Sequence, residues 1–188
     1  MKVAIISQPK AGTYLCGNLL QCLGLEFAMI HAREQNYTKV HKKKEYQLKY
    51  LRKQKIRSPL HKTIELVNEN QYFVSHLECN DYTQTVLRPF KKILLLRDLE
   101  SCVESWKKWA NVVNKSSETK MLDLDFRNNI KKWQKQEGVF TMSFYDMKNK
   151  NHKVINRLQH FLFDSVTVDS SLAIQNALET DSLTKVAR

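Results

Sequence analysis

The sequence predicts a three-layer α/β sandwich around a mostly parallel sheet. Three observations point there. Short aliphatic or β-branched runs recur at Lys2–Ser7, Tyr72–Leu77, Lys92–Leu96 and Val139–Phe144. Between them, apolar residues repeat at helical spacing, and strands that alternate with helices build parallel sheets covered on both sides. The run Lys92-Ile93-Leu94-Leu95-Leu96 is apolar at both parities, the pattern of a strand buried on two faces.

In chain order, the first strand ends at Ser7 and is punctuated by Pro9 and Gly12. Leu15, Leu19, Leu20 and Leu23 then mark a helix that stops at Gly24, because glycine takes the left-handed C-terminal position without strain. Strand, tight turn and helix make a P-loop-like opening. Phe27–Ile30 predicts a short second strand, and the polar, basic stretch 33–70 predicts two helical pieces broken near Ser58-Pro59. After Arg97-Asp98, the positions Leu99, Val103, Trp106 and Ala110 line one helix face. Leu122, Phe126, Ile130 and Trp133 line another over 121–137. Val154, Leu158, Phe161 and Leu162 define a helix over Lys153–Phe163, and a last helix is expected around 170–179.

Composition narrows the class. With 188 residues, 42% of them hydrophobic, the chain is expected to fold as one domain over 1–188. Four glycines and three prolines exclude collagen-like and linker-dominated chains. No apolar run reaches the roughly 18–20 residues that cross a bilayer. Met1–Ser7 fits a first strand rather than an export leader. Cys16, Cys22, Cys79 and Cys102 form no CxxC pair, so the expectation is reduced thiols, a cytoplasmic protein and no metal site. The net charge is +12, and Arg33–Lys62 carries 11 basic residues against Glu34 and Glu45. Such a stretch attracts polyanions when it lies beside a ligand and otherwise forms a solvated face.

The first loop, Gln8-Pro9-Lys10-Ala11-Gly12-Thr13-Tyr14, lies where open α/β sheets bind ligands, at a strand's carboxyl end and a helix N-terminus. Gly12 lets backbone approach an anion, the amides of Gly12 to Tyr14 face it, Thr13 adds a hydroxyl and Lys10 a mobile charge. A structural turn is the alternative. The order is not that of a Walker A loop, because Lys10 precedes Gly12 and no Gly-Lys-Ser/Thr occurs.

Pro9-Lys10-Ala11-Gly12-Thr13 resembles the 5′-phosphosulfate loop of sulfotransferases that use 3′-phosphoadenosine 5′-phosphosulfate (PAPS). Three further segments resemble that family in the same order. Leu96-Arg97, followed eight residues later by Ser105, is similar to its 3′-phosphate pair. Phe144-Tyr145-Asp146-Met147 is similar to its Tyr-Glu-Asp segment, which implies that Tyr145 lies beside the adenine. Phe73-Val74-Ser75-His76-Leu77 resembles Val-Lys-Thr-His-Leu, which implies His76 as the catalytic base. Tyr14 stands where the family usually carries a small hydroxyl residue, and Val74 replaces a lysine that reaches the sulfonate. The C-terminal Gly- and basic-rich loop has no counterpart before Arg188.

The resemblance implies transfer of a sulfuryl group from PAPS to a hydroxyl or amine, with no metal. His76 and Lys10 would be catalytic. Lys10, Ala11, Gly12, Thr13, Tyr14, Arg97, Ser105 and Tyr145 would bind the co-substrate. The acceptor, a small molecule or glycan, is expected to meet loops 31–70 and 112–121, and the basic stretch favours an anionic one; nucleic acid is not an expected partner. The alternatives are a nucleotide or phosphate kinase of related fold and a non-enzymatic polyanion-binding module.

Overall fold

The computed structural model describes residues 1–34, 37–42, 52–56, 58–112 and 124–186. The elements run β1 (Lys2–Ser7), α1 (Thr13–Cys22), β2 (Glu26–Glu34), β3 (Tyr37–Lys42), β4 (Arg52–Ile56), α2 (Leu60–Ile64), β5 (Gln71–Ser75) and α3 (Asp81–Val86). They continue with β6 (Phe90–Leu96), α4 (Leu99–Val112), α5 (Leu124–Gln134), β7 (Val139–Ser143), α6 (Phe144–Lys148), α7 (His152–Phe163) and α8 (Ser170–Val186). One sheet holds the strands in the order β4-β3-β2-β5-β1-β6-β7. Its five central and right-hand members, β2, β5, β1, β6 and β7, are parallel. This is the α/β architecture expected from the strand–helix alternation.

Alternation along the parallel strands divides the core into two layers. Val3, Ile5, Tyr72, Val74, Ile93 and Leu95 face one way, against Leu15 and Leu19 of α1, Ile155 and Leu158 of α7, and Ile174 of α8. Ala4, Ile6, Phe73 and Leu94 face the other way, against Leu60 of α2 and Trp133 of α5. A strand with helices on both sides must be apolar at every position, which is why β1 and β6 read as continuous apolar runs. Helix α1 ends as its sequence suggests. Gly24 has φ 91°, its amide donates to the carbonyl of Gln21, and the amide of Leu25 donates back to Leu20, closing a Schellman motif.

The basic stretch departs from expectation. Among the described residues, in place of two helical pieces, β2 runs on to Glu34, β3 and β4 add an antiparallel ribbon, and the short α2 alone is helical. Tyr37-Thr38-Lys39-Val40 alternates β-branched with polar residues, and pairing with β2 outweighs the modest helix preference of lysine. Val40 pairs with Ile30, and Lys42 with Arg52. From Tyr37 to Lys42 the ribbon therefore runs towards the amino ends of the parallel strands, away from their carboxyl ends. Lys43, Lys44 and residues 113–123 lie outside the described residues. Helix α3 was not evident from apolar spacing. Its signal is a capping box in which Asn80 Oδ1 accepts from the Thr83 amide at 3.0 Å and Thr83 Oγ1 accepts from the Asn80 amide at 3.1 Å.

Helix α5 fastens the segment that follows β5. Trp133 is fully buried, and its Nε1 donates to the carbonyl of Leu77 at 3.0 Å. Asn129 Nδ2 donates to the same carbonyl at 3.1 Å, and Asn129 Oδ1 accepts from the Cys79 amide at 2.5 Å. The chain on the carboxyl side of His76 is thereby tied to the second core layer. Trp133→Ala opens a cavity and strips a donor from a buried carbonyl, so it should lower stability by about 3–5 kcal/mol. Urea denaturation should register the loss as an earlier midpoint.

Candidate active site

The carboxyl ends of β1, β5 and β6 meet at the first loop. Ser7, the last residue of β1, makes the central junction. Its hydroxyl lies 2.7 Å from Thr13 Oγ1 at the start of α1, and its carbonyl lies 2.8 Å from Nδ1 of His76, just past β5. A carbonyl can only accept, so Nδ1 of His76 carries the proton, and in the neutral ring Nε2 holds the basic lone pair. Ser75 Oγ donates to the Ile5 carbonyl at 2.9 Å, which adds a side-chain bond to the β1–β5 ladder immediately before His76.

The loop itself is bent and braced. Lys10 has φ 67° and Gly12 φ 91°. Glycine adopts that conformation freely, whereas for a lysine it costs on the order of 1–2 kcal/mol. A Cβ at Gly12 would collide with the ring of Phe144. Arg97, just past β6, donates through Nη1 to the Lys10 carbonyl at 2.9 Å, and its guanidinium carbon lies 4.2 Å from the centre of that same Phe144 ring. Gln8 Nε2 reaches the Arg97 carbonyl at 2.5 Å and Cys102 Sγ at 2.9 Å. The Nε of Arg97 is buried without a hydrogen-bond partner among the described residues. A buried, unsatisfied cationic donor beside a helix N-terminus is the chemistry of an anion site.

On the outer side, Tyr145 is 42% exposed. Its hydroxyl donates to Asp98 Oδ2 at 2.6 Å and lies 3.1 Å from Ser101 Oγ. The Tyr145 hydroxyl and then the Ser101 amide hold the carboxyl of Asp98 down at about 2, so Asp98 is ionised throughout the physiological range. Ser105 lies half-buried on α4, one turn beyond Ser101. The ammonium of Lys10 sits 4.4 Å from the ring centre of Trp109 and 5.7 Å from that of Trp106, both on α4. Burial pushes the thiol of Cys16 up to about 12 and raises that of Cys102, which removes both as nucleophiles.

A family model for the sulfotransferase domain matches residues 1–185. The chain belongs to the sulfotransferase domain family. A comparison with curated protein sequences gives no match. Among solved structures, the chain is similar to mouse sulfotransferase SULT7A1 complexed with PAP, with a TM-score of 0.59 at 14% identity. The alignment covers all of this chain and 67% of that one. The two share a fold. Membership in the family decides between the transferase and kinase readings of the first loop.

Within this sulfotransferase domain, the expected site residues fall into two groups that share the loop. Ala11, Gly12, Arg97 and Tyr145 lie with Lys10 on one side, and Thr13, Tyr14 and His76 on the other. Thr13 is 5% exposed and directs its hydroxyl inward to Ser7. Val74 is buried in the core, so no cation projects from that position. Four participants were missed in the sequence: Ser7, Gln8, Phe144 and Asp98. Only Asp98 had a local signal, its place beside Arg97. The others act through residues distant in the chain. No helix among the described residues is long and apolar enough to cross a membrane, and none of their His, Cys, Asp and Glu side chains cluster in threes that could hold a metal.

The Asp98–Tyr145 bond has a pH signature. A carboxyl whose folded pKa is depressed contributes stability that is complete above its unfolded value and is lost as pH falls through its folded value. The window here runs from 3.8 down to about 2. Tyr145→Phe should move the Asp98 midpoint back up towards the ordinary carboxylate range, read by carbon-13 NMR of the carboxyl.

Proposed function

We propose that this domain transfers a sulfuryl group from PAPS to a hydroxyl or amine acceptor, with His76 as general base. The tautomer of His76 carries the reading, because Nδ1–H donated to the Ser7 carbonyl at 2.8 Å puts the proton-accepting nitrogen at Nε2. A neutral imidazole of this kind accepts a proton near neutral pH. The similar structure is complexed with PAP, which supports the choice of co-substrate.

In the proposed reaction the acceptor oxygen or nitrogen attacks sulfur in line. Its proton passes to Nε2 of His76 as the new bond forms. The bond from sulfur to the phosphate oxygen breaks, and its electron pair leaves with 3′,5′-ADP. Charge grows on that leaving oxygen, so positioning and electrostatic stabilisation supply most of the rate. The N-terminus of α1, with Ala11, Gly12, Thr13 and Tyr14, would hold the 5′-phosphate. Lys10 would leave the tryptophan faces to neutralise the leaving oxygen. Exchanging a cation–π contact of about 0.5–1 kcal/mol for a charge pair with a phosphate is a small cost. Arg97, through its unsatisfied Nε, and Ser105 would take the 3′-phosphate, and Tyr145 would flank the adenine. The acceptor would approach on the His76 side, where β2 ends beside β5 and the basic stretch begins at Arg33. Soluble, cytoplasmic action fits this chemistry.

Three variants separate these roles. Lys10→Ala should lower turnover at least about a hundred-fold, and His76→Ala by about a hundred- to ten-thousand-fold, with 3′,5′-ADP still bound by the His76 variant. Arg97→Ala should weaken 3′,5′-ADP by about 1.5–3 kcal/mol and affect adenosine 5′-phosphosulfate, which lacks the 3′-phosphate, much less. Calorimetry that returns equal losses for the two nucleotides would assign Arg97 to bracing the loop alone.

A further inference from the structure

The side chain of Tyr14 and the whole of His31 stand outside the roles assigned so far, and the structure brings them together. His31 lies on β2, in register with Val74 of β5, and is 6% exposed. Its ring centre is 4.8 Å from that of His76, with the planes at 71°. Tyr14, the second residue of α1, places its hydroxyl 3.2 Å from Nδ1 of His31, and the two rings meet edge to face at 6.1 Å and 79°. The chain thus runs phenol, imidazole, imidazole, and ends on the Ser7 carbonyl.

Three physical points make this more than packing. The neighbouring β2 residues Ile30 and Ala32 are buried and apolar, so an aliphatic residue would suit a sheet position of this depth. Burying an imidazole instead costs free energy unless it is hydrogen-bonded, and Tyr14 supplies such a bond. Second, Tyr14 occupies a position where the family resemblance leads one to expect a small hydroxyl residue. A phenol hydroxyl lies about 6 Å beyond its Cα, and here it reaches across to β2. Third, the Ser7 carbonyl fixes one edge of the His76 ring, at Nδ1, and a second contact on the ring defines its plane. The His31 ring packed at 71° against it supplies that contact.

We infer that His31, oriented by Tyr14, is a positioning residue for His76: it fixes the plane of the base with Nδ1 directed at the Ser7 carbonyl, the contact that keeps that nitrogen protonated. This inference rests on the role of His76 under the proposed function. His31 itself need touch neither PAPS nor acceptor. Its effect belongs to turnover and not to co-substrate affinity, since a misdirected base slows proton transfer while the anion loop stays intact. Tyr14 then serves twice, its amide at the loop and its side chain at the base.

The test uses the full chain with nitrogen-15-labelled histidine, saturated with 3′,5′-ADP, and long-range proton–nitrogen correlation NMR, which separates the two imidazole tautomers. Wild type should show His76 in a single Nδ1–H form. His31→Ala should give averaged tautomers at His76, and Tyr14→Phe, which deletes only the hydroxyl, should move the same signals part of the way. His31→Phe keeps a ring against His76 and should restore most of the wild-type pattern; it also stands in should His31→Ala fail to fold. In parallel, hydrolysis of PAPS to 3′,5′-ADP and sulfate, with water as the acceptor, should slow about ten- to a hundred-fold in His31→Ala, with calorimetric 3′,5′-ADP affinity within about two-fold of wild type. An unchanged His76 tautomer in both His31→Ala and Tyr14→Phe overturns the inference, as does a loss of 3′,5′-ADP affinity that matches the loss of turnover. Failure of wild type to bind 3′,5′-ADP would instead count against the proposed function, and the tautomer spectra would still decide the His31–His76 coupling.

Discussion

The structure is organised around the carboxyl end of β1, where Ser7 bonds in two directions. Its hydroxyl engages Thr13 and its carbonyl engages His76. Strand β1 has parallel neighbours on both sides, so its end can be displaced only by disturbing the ladder. A backbone carbonyl anchored in this way is a rigid acceptor. The imidazole bound to it inherits that rigidity, and so does the first turn of α1. One residue therefore sets the distance between the helix N-terminus and the ring nitrogen proposed as the base.

The loop between them is held in a conformation it would not adopt alone. Positive φ at Lys10 and Gly12 is maintained from outside by the Arg97 bond to the Lys10 carbonyl and by the Phe144 ring beneath Gly12. The same arrangement leaves Arg97 Nε buried and unsatisfied among the described residues. Strain and an orphaned donor each reduce stability, and their coincidence at one loop is the mark of a site shaped for an anion rather than for folding. Aromatic contacts moderate the cost. Arg97 lies over Phe144 and Lys10 over Trp109, so both cations meet ring faces.

The basic stretch divides in two. Its strands β3 and β4 form the outer ribbon of the sheet. Its beginning, the carboxyl end of β2, runs beside β5 and brings His31 to His76. Charge composition alone does not show which part reaches the site: Arg33 and Glu34 at the end of β2 cancel, and the excess of positive residues lies further along the chain. Sheet topology shows it. The part that joins β5 reaches the candidate site, and the paired Lys42 and Arg52 lie towards the opposite end of the sheet.

By itself the sequence determined the sheet core, the first strand–loop–helix unit and the family. These depend on neighbours in the chain: β1 and β6 must be apolar at both parities, Gly24 must accept a left-handed turn, and Pro9 to Thr13 must form a short loop. His76 and Arg97 were legible for the same reason, since each ends a recognisable strand. Tertiary structure alone decided the fate of β3 and β4 in the basic stretch. Lysine-rich segments satisfy a helix or an edge strand equally well until a partner strand offers its hydrogen bonds. It alone also decided that Phe144 braces Gly12, that Asp98 holds Tyr145, and that Tyr14 turns from the anion loop to His31. Those contacts join residues 17 to 132 positions apart, a separation at which spacing carries no information and only the packing of strands and helices brings side chains within reach.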